Sequence, residues 1–280
     1  MERIWSGRCC GPLRVGVRLL GSDFIVFALV GFFAQVVDGA LGMAYGVVSS
    51  TMLLSFGVPP AAASASVHAA EMFTTAASAT SHVRNRNVNW PLFWRLAPAG
   101  ILGGVIGTYV LTAVDGGLLR PFVTAYLGIL GVFILYRALR GRRDYEEPRS
   151  RIVMPLGVAG GFVDSAGGGG WGPIVTSSLI GSGGAPRYVV GTVNSVEFFV
   201  TTAVSIAFIT ALLTGHWAEA EGIDRHLWSV AGLVVGGIVA APLAGYVVRM
   251  LPAKRLMLLV GTLVICLACY QAWDLLFMPE

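Results

Sequence analysis

A 126-residue internal repeat constrains this chain more than any other feature. Asp38, Gly42, Tyr45 and Gly46 recur as Asp164, Gly168, Trp171 and Gly172. Pro60, His68, Glu71 and Thr75 recur as Pro186, Asn194, Glu197 and Thr201 at the same offset, with no gap. In both copies 33 residues separate the Asp from the Glu. Two structurally equivalent halves follow, so the architecture has to be argued from the repeat unit outward.

The medium around those halves is set by composition. Of 280 residues, 55% are hydrophobic and 12% charged, against roughly 25% charged in soluble domains. Mean hydropathy is +0.74. A globule this apolar could not cover itself with polar surface, so its solvent is lipid. The 37 glycines fit, because helices that pack in lipid use small residues to bring backbones close. The net charge of +4 is no nucleic-acid signal, since the arginines gather at segment boundaries rather than on one face. Four cysteines supply no disulfide framework. Cys9 and Cys10 are neighbours in the tail, open to palmitoylation, and Cys266 and Cys269 read as small core residues one helical turn apart.

Taken in order, residues 1–22 form a basic tail carrying Arg3, Arg8, Arg14 and Arg18, with no run of signal-peptide quality. Apolar segments follow at 24–56, 58–81, 92–114, 118–139, 152–180, 188–214, 227–251 and 256–278. Crossing the hydrocarbon takes roughly 20 helical residues. The first and fifth segments run longer, and Asp and Gly interrupt each near its middle. They are expected to be broken or re-entrant helices, lined by protein or by a water-filled cavity at that depth. The expected organisation is a tail (1–22), a first transmembrane repeat (23–139), an Arg-rich cytoplasmic linker (140–151) and a second repeat (152–280). Stripes such as Gly100-x-x-x-Gly104, Gly103-x-x-x-Gly107 and Gly232-x-x-x-Gly236 read as helix-packing surfaces.

Basic loops give orientation. Arg84, Arg86 and Arg95 mark one loop as cytoplasmic, as do Arg140, Arg142, Arg143, Arg149 and Arg151 for the linker. The second-copy counterpart of the first loop is acidic (Glu219, Glu221, Asp224), while Arg249, Lys254 and Arg255 mark the loop after it. Corresponding loops therefore face opposite sides, and the halves are expected to be inverted. The basic N-terminal tail pulls the other way, because strict inversion places it outside.

Four acids lie deep within apolar segments: Asp38, Glu71, Asp164 and Glu197. A charge at mid-membrane costs roughly 2.5 to 3.5 kcal/mol on insertion scales, so such residues face a cavity or a partner. No Lys or Arg lies equally deep in the sequence. A carboxyl that can be charged or neutral meets the requirement for a proton relay or a cation site. Asp38 and Asp164 also stand where a helix N-cap would stand, and capping alone is an alternative account of them. Glu71 and Glu197 have no cap to make; a hydrogen bond to a neighbouring hydroxyl is their structural alternative. Beside the acids, Ser165 and Gly167, Gly168, Gly169 and Gly170 can turn sharply and expose backbone N–H groups. A helix beginning there would offer its positive end to an anion. Tyr45 and Trp171 are matching aromatic donors or packing rings. His68 and Asn194 fall one turn before Glu71 and Glu197 on the same helix face, and a histidine titrates near neutrality.

The duplicated Asp-then-Gly segment, followed at fixed spacing by His/Asn-x-x-Glu, resembles the sulfite exporter family (TauE/SafE, also called TSUP) over residues 24–277. The resemblance implies a polytopic plasma-membrane transporter of small anions, commonly oxidised sulfur compounds. It carries Asp38, Glu71, Asp164, Asn194, Glu197 and the adjacent glycines over as pathway residues. Two departures stand out: His68 faces Asn194 across the repeat, and Leu41-Gly42-Met43-Ala44 replaces the four-glycine run. Together these readings predict an all-α integral membrane protein of about eight segments in a 4+4 repeat. It would be a secondary transporter of a sulfur oxyanion or organosulfonate with protons as partner, multi-pass in the plasma (inner) membrane. No cofactor, metal or nucleic acid is expected. An anion channel is the nearest rival. An intramembrane enzyme lacks its motif, since Gly161-Phe162-Val163 precedes Asp164 where a protease would carry Gly-x-Gly-Asp.

Overall fold

A computed structural model describes residues 20–139, 150–217, 227–250 and 253–277; the tail, the linker arginines up to Arg149 and the acidic loop of Glu219, Glu221 and Asp224 lie outside these. The described residues form helices joined by short turns, with no strand among them. Five helices make the first half: α1 (Leu20–Leu41), α2 (Tyr45–Ser55), α3 (Pro60–Arg84), α4 (Trp90–Ala113) and α5 (Gly116–Leu139). The second half has α6 (Ser150–Gly167), a π-helical turn (Gly172–Thr176) running into α7 (Ser177–Gly181), then α8 (Pro186–Leu213), α9 (Leu227–Met250) and α10 (Ala253–Phe277). Among the described residues, eight apolar segments become ten helices because the first and fifth are each broken in two.

The breaks keep the repeat's offset. α1 stops at Leu41 and α6 at Gly167, while α3 and α8 both open on a proline, at Pro60 and Pro186. Proline suits a first helical position, where its missing N–H has no intrahelical partner to lose. Asn89 starts α4, its Oδ1 accepting the Leu92 N–H at 3.1 Å.

Packing runs between the halves more than within them. α1 lies along α9 and its repeat mate α6 lies along α4; α3 pairs with α8, and α5 with α10. Small residues make the first two contacts possible. Gly232 and Gly236 lie against the backbone of Phe24–Ala28, and Gly103 and Gly161 against the backbone of the helix opposite. The glycine stripes are packing surfaces, as their spacing suggested. Arg120 and Asp274 tie α5 to α10 at 3.0 Å.

Polarity is arranged for lipid. Ile25, Leu29 and Phe33 on α1, Phe122 and Ile129 on α5, and Leu259 and Trp273 on α10 point outward. Ser49, Ser50, Thr51, His68, Glu71, Asp164 and Thr192 are buried. A water-soluble protein distributes these residue types the other way. Among the described residues, four helices are long and apolar enough to cross a membrane (Trp90–Ala113, Gly116–Leu139, Arg187–Leu213, Met257–Phe277), and Phe24–Gly39, Gly172–Gly181 and Leu227–Ala241 are shorter apolar stretches. This is a multi-pass, all-helical membrane protein. One expectation needs correcting: Cys266 and Cys269 are exposed on α10 rather than in the core.

Candidate functional site

Each break is built by an aspartate and a glycine. Directly after α1 and α6 stand Gly42 (φ 66°) and Gly168 (φ 65°), in the left-handed region where a side chain is strained. Their N–H groups donate back to the carbonyls of Asp38 (2.5 Å) and Asp164 (2.7 Å), closing the first helix. The same aspartates open the second helix. Asp38 Oδ1 accepts the N–H groups of Ala44 (2.8 Å) and Tyr45 (3.2 Å). Asp164 Oδ1 accepts those of Gly170 (2.6 Å) and Trp171 (2.9 Å). Both carboxyls therefore cap short helices across the turn. In this conformation they hold N–H groups that the glycine pattern suggested for an anion.

The two breaks meet in the interior. Gly169 lies on the backbone of Gly46 and Val47, and Gly172 lies on Gly42 and Met43, so the contact is the same when the halves are exchanged. Ser50 Oγ donates to the Gly168 carbonyl, and its repeat mate Thr176 Oγ1 donates to the Gly42 carbonyl at 3.3 Å. Gly167 and Gly170 are covered by Tyr126, whose hydroxyl donates to the Gly169 carbonyl at 3.2 Å. The four-glycine run is thus a place where backbones touch. The aromatic donors reach helix carbonyls: Trp171 Nε1 to Val193 at 3.2 Å, and Tyr45 Oη to Leu233 at 2.9 Å. Ser165 Oγ donates to the Phe162 carbonyl at 3.0 Å, and its own carbonyl accepts Ser64 Oγ at 2.5 Å.

Helix α3 brings two more groups to the second break. His68 is fully buried; its Nδ1 lies 2.8 Å from the Ser64 carbonyl and its Nε2 lies 3.2 Å from Asp164 Oδ2. A carbonyl only accepts, so Nδ1 carries a hydrogen. The Nε2 lone pair of a neutral ring would then face a carboxylate oxygen, and the contact holds together only with a cation or a proton between them. Glu71, one turn along, is 3% exposed, with Oε1 against Gly46 and Oε2 bonded to nothing. His68, Glu71 and Asp164 each offer a donor atom, all within 4.8 Å of one another.

The equivalent corner of the first break differs. Asn194 is buried beside Gly42, but its Nδ2 donates to Ser78 Oγ at 3.1 Å and its Oδ1 has no partner. Glu197 is 7% exposed. Among the described residues, the base in contact with any of the four acids is His68.

Ser50, Ser64, Thr176 and Tyr126 were not singled out from the sequence. Ser50 and Thr176 could have been, as hydroxyl-bearing mates at the repeat offset. Tyr126 carries no such signal, because it reaches the glycines from α5. A separate apolar groove of about 570 Å³ between α3, α4 and α8 touches Ser195 but none of the four acids.

Paired broken helices at an interior contact between repeated halves are a construction that membrane transporters share. Residues 27–271 match the model of the sulfite exporter TauE/SafE family. The chain belongs to that family and is a membrane transporter. It is 40% identical over 247 residues to "Probable membrane transporter protein YtnM" of Bacillus subtilis (strain 168), covering 86% of this chain and 80% of that protein. It is also 26% identical over 168 residues to a "Probable membrane transporter protein" of Haemophilus influenzae, covering 59% of this chain and 64% of the relative. No solved structure matches the chain.

Proposed function

We propose that this transporter moves a small anion, a sulfur oxyanion or organosulfonate, across the plasma membrane and that proton movement is coupled to it. The observation that carries the reading is the interior contact itself. Two short helices begin there, and an aspartate carboxyl holds the first N–H groups of each, where an entering anion would compete for them. Helix starts attract anions, while charged carboxylates repel them. At 4 Å, two like unit charges cost roughly 4 kcal/mol at an effective dielectric of 20. An anion therefore binds best when a nearby glutamate is neutral, and that links the two movements. Glu197 suits the task, being buried on α8 with no base in contact among the described residues.

The test is flux in proteoliposomes. Sulfite, sulfonates, thiosulfate, sulfate and carboxylates are offered as labelled substrates, with and without a pH gradient. Concentrative flux of a sulfur anion that collapses with the gradient is the expected result. Downhill flux indifferent to the gradient would make the protein an anion channel, and preference for carboxylates would remove the substrate assignment.

A further inference from the structure

We propose that His68, Glu71 and Asp164 form a buried site for one divalent transition-metal ion of the zinc type. Four observations meet there. The three donors lie within 4.8 Å of one another, on residues 0%, 3% and 1% exposed. Ligands about 2.0 to 2.1 Å from a tetrahedral ion stand roughly 3.3 Å apart, and His68 Nε2 and Asp164 Oδ2 are separated by 3.2 Å. The pair already has the spacing of two ligands on one metal.

The supporting shell is also in place. A ligating histidine donates its other ring N–H to a carbonyl or carboxylate, which fixes the tautomer and aims the free nitrogen. His68 does this through Nδ1 and the Ser64 carbonyl. Ligating carboxylates are themselves held, and Asp164 Oδ1 is held by two backbone N–H groups, leaving Oδ2 for the ion.

Glu71 decides between a metal and a single proton. A proton between Nε2 and Oδ2 would satisfy His68 and Asp164 but leave Glu71 Oε2 buried without a partner, a costly condition. An ion bonds all three. Two carboxylates and a neutral imidazole also balance a divalent charge, with no described lysine or arginine in contact. One nitrogen and two oxygens suit zinc better than magnesium or calcium, which take all-oxygen shells. Three protein donors leave the fourth position to water.

The first break cannot copy this. Asn194 replaces the imidazole and spends its amide on Ser78, so each chain holds one ion. It follows that Glu71 is a metal ligand and Glu197 remains free to carry a proton; this consequence alone rests on the transport reading.

The experiment uses full-length protein in detergent, tag removed, with Cys9, Cys10, Cys266 and Cys269 replaced by serine so that thiols cannot bind metal. After chelation, Zn²⁺ is titrated calorimetrically and Co²⁺ by its visible absorption. The expected result is one equivalent of either ion, with affinity falling at least about 100-fold in both His68→Asn and Glu71→Gln. Gel filtration confirms that each variant is folded, and the second variant stands in if the first is not. Binding well below one equivalent, or equal binding by the folded variants, would overturn the site. No transport is measured, so either reading can fail while the other stands.

Discussion

The breaks at 38–46 and 164–172 share a backbone but not a chemistry. Both end one helix on a left-handed glycine and start the next on an aspartate carboxyl. The second is closed in on every side, with glycines against Tyr126, Ser50, Ser64 and the opposite break, and with His68 on its aspartate. The first carries Met43, and its partner residue Asn194 turns toward Ser78. The two halves keep one scaffold while single residues give the breaks different contacts. The second break sets His68 against its aspartate, while among the described residues no base contacts Asp38 or Glu197.

The largest effect should come from the halves' orientation. In a cysteine-free background, a cysteine at Glu221 should react with an impermeant thiol reagent from outside. One at Arg84 should react only after permeabilisation. Labelling of both from one side would end the inverted relation.

Removing the caps comes next. Asp164→Ala strips two N–H groups and His68 of their partner together, and should cost about 3 to 5 kcal/mol. Asp38→Ala strips two N–H groups only, and should cost about 1 to 3 kcal/mol. Thermal unfolding in detergent ranks them, and equal losses would mean that His68 adds nothing to the second break.

A smaller contrast is expected at the glycines. Alanine at either position costs roughly 1 to 2 kcal/mol for the left-handed backbone. At Gly168 the new carbon would also stand 3.1 Å from Ser64 Cα, which is backbone and cannot turn aside. At Gly42 it meets Val190 Cγ1, 2.9 Å away, a side-chain contact with no hydrogen bond behind it. Gly168→Ala should therefore unfold at the lower temperature; the reverse order would show that the first break is the tighter one.

What could be read without coordinates was the repeat and where it breaks. Asp, Gly and a constant offset mark the turn because only glycine takes that backbone easily and only a short acid reaches the next helix start. The long α4 and α9 also declared their packing through Gly103 and Gly232. The partners did not declare themselves. His68 meets Asp164 across 96 residues of sequence, because α3 of one half crosses the break of the other. Nothing in the pattern around either residue says so. The packing of the glycines was hidden for a related reason. A flexible loop that could expose N–H groups and a loop squeezed flat against another backbone demand the same residue, and only the neighbour distinguishes them.

The central claim is that Glu197 carries the coupling proton while the helix starts hold the anion. Glu197→Gln keeps the shape of the protonated acid and fixes its charge at zero. Reconstituted variant protein should still exchange labelled for unlabelled substrate, at a rate that no longer changes with pH, and should lose transport driven by a proton gradient. An unchanged pH profile and undiminished gradient-driven transport in Glu197→Gln would contradict the account.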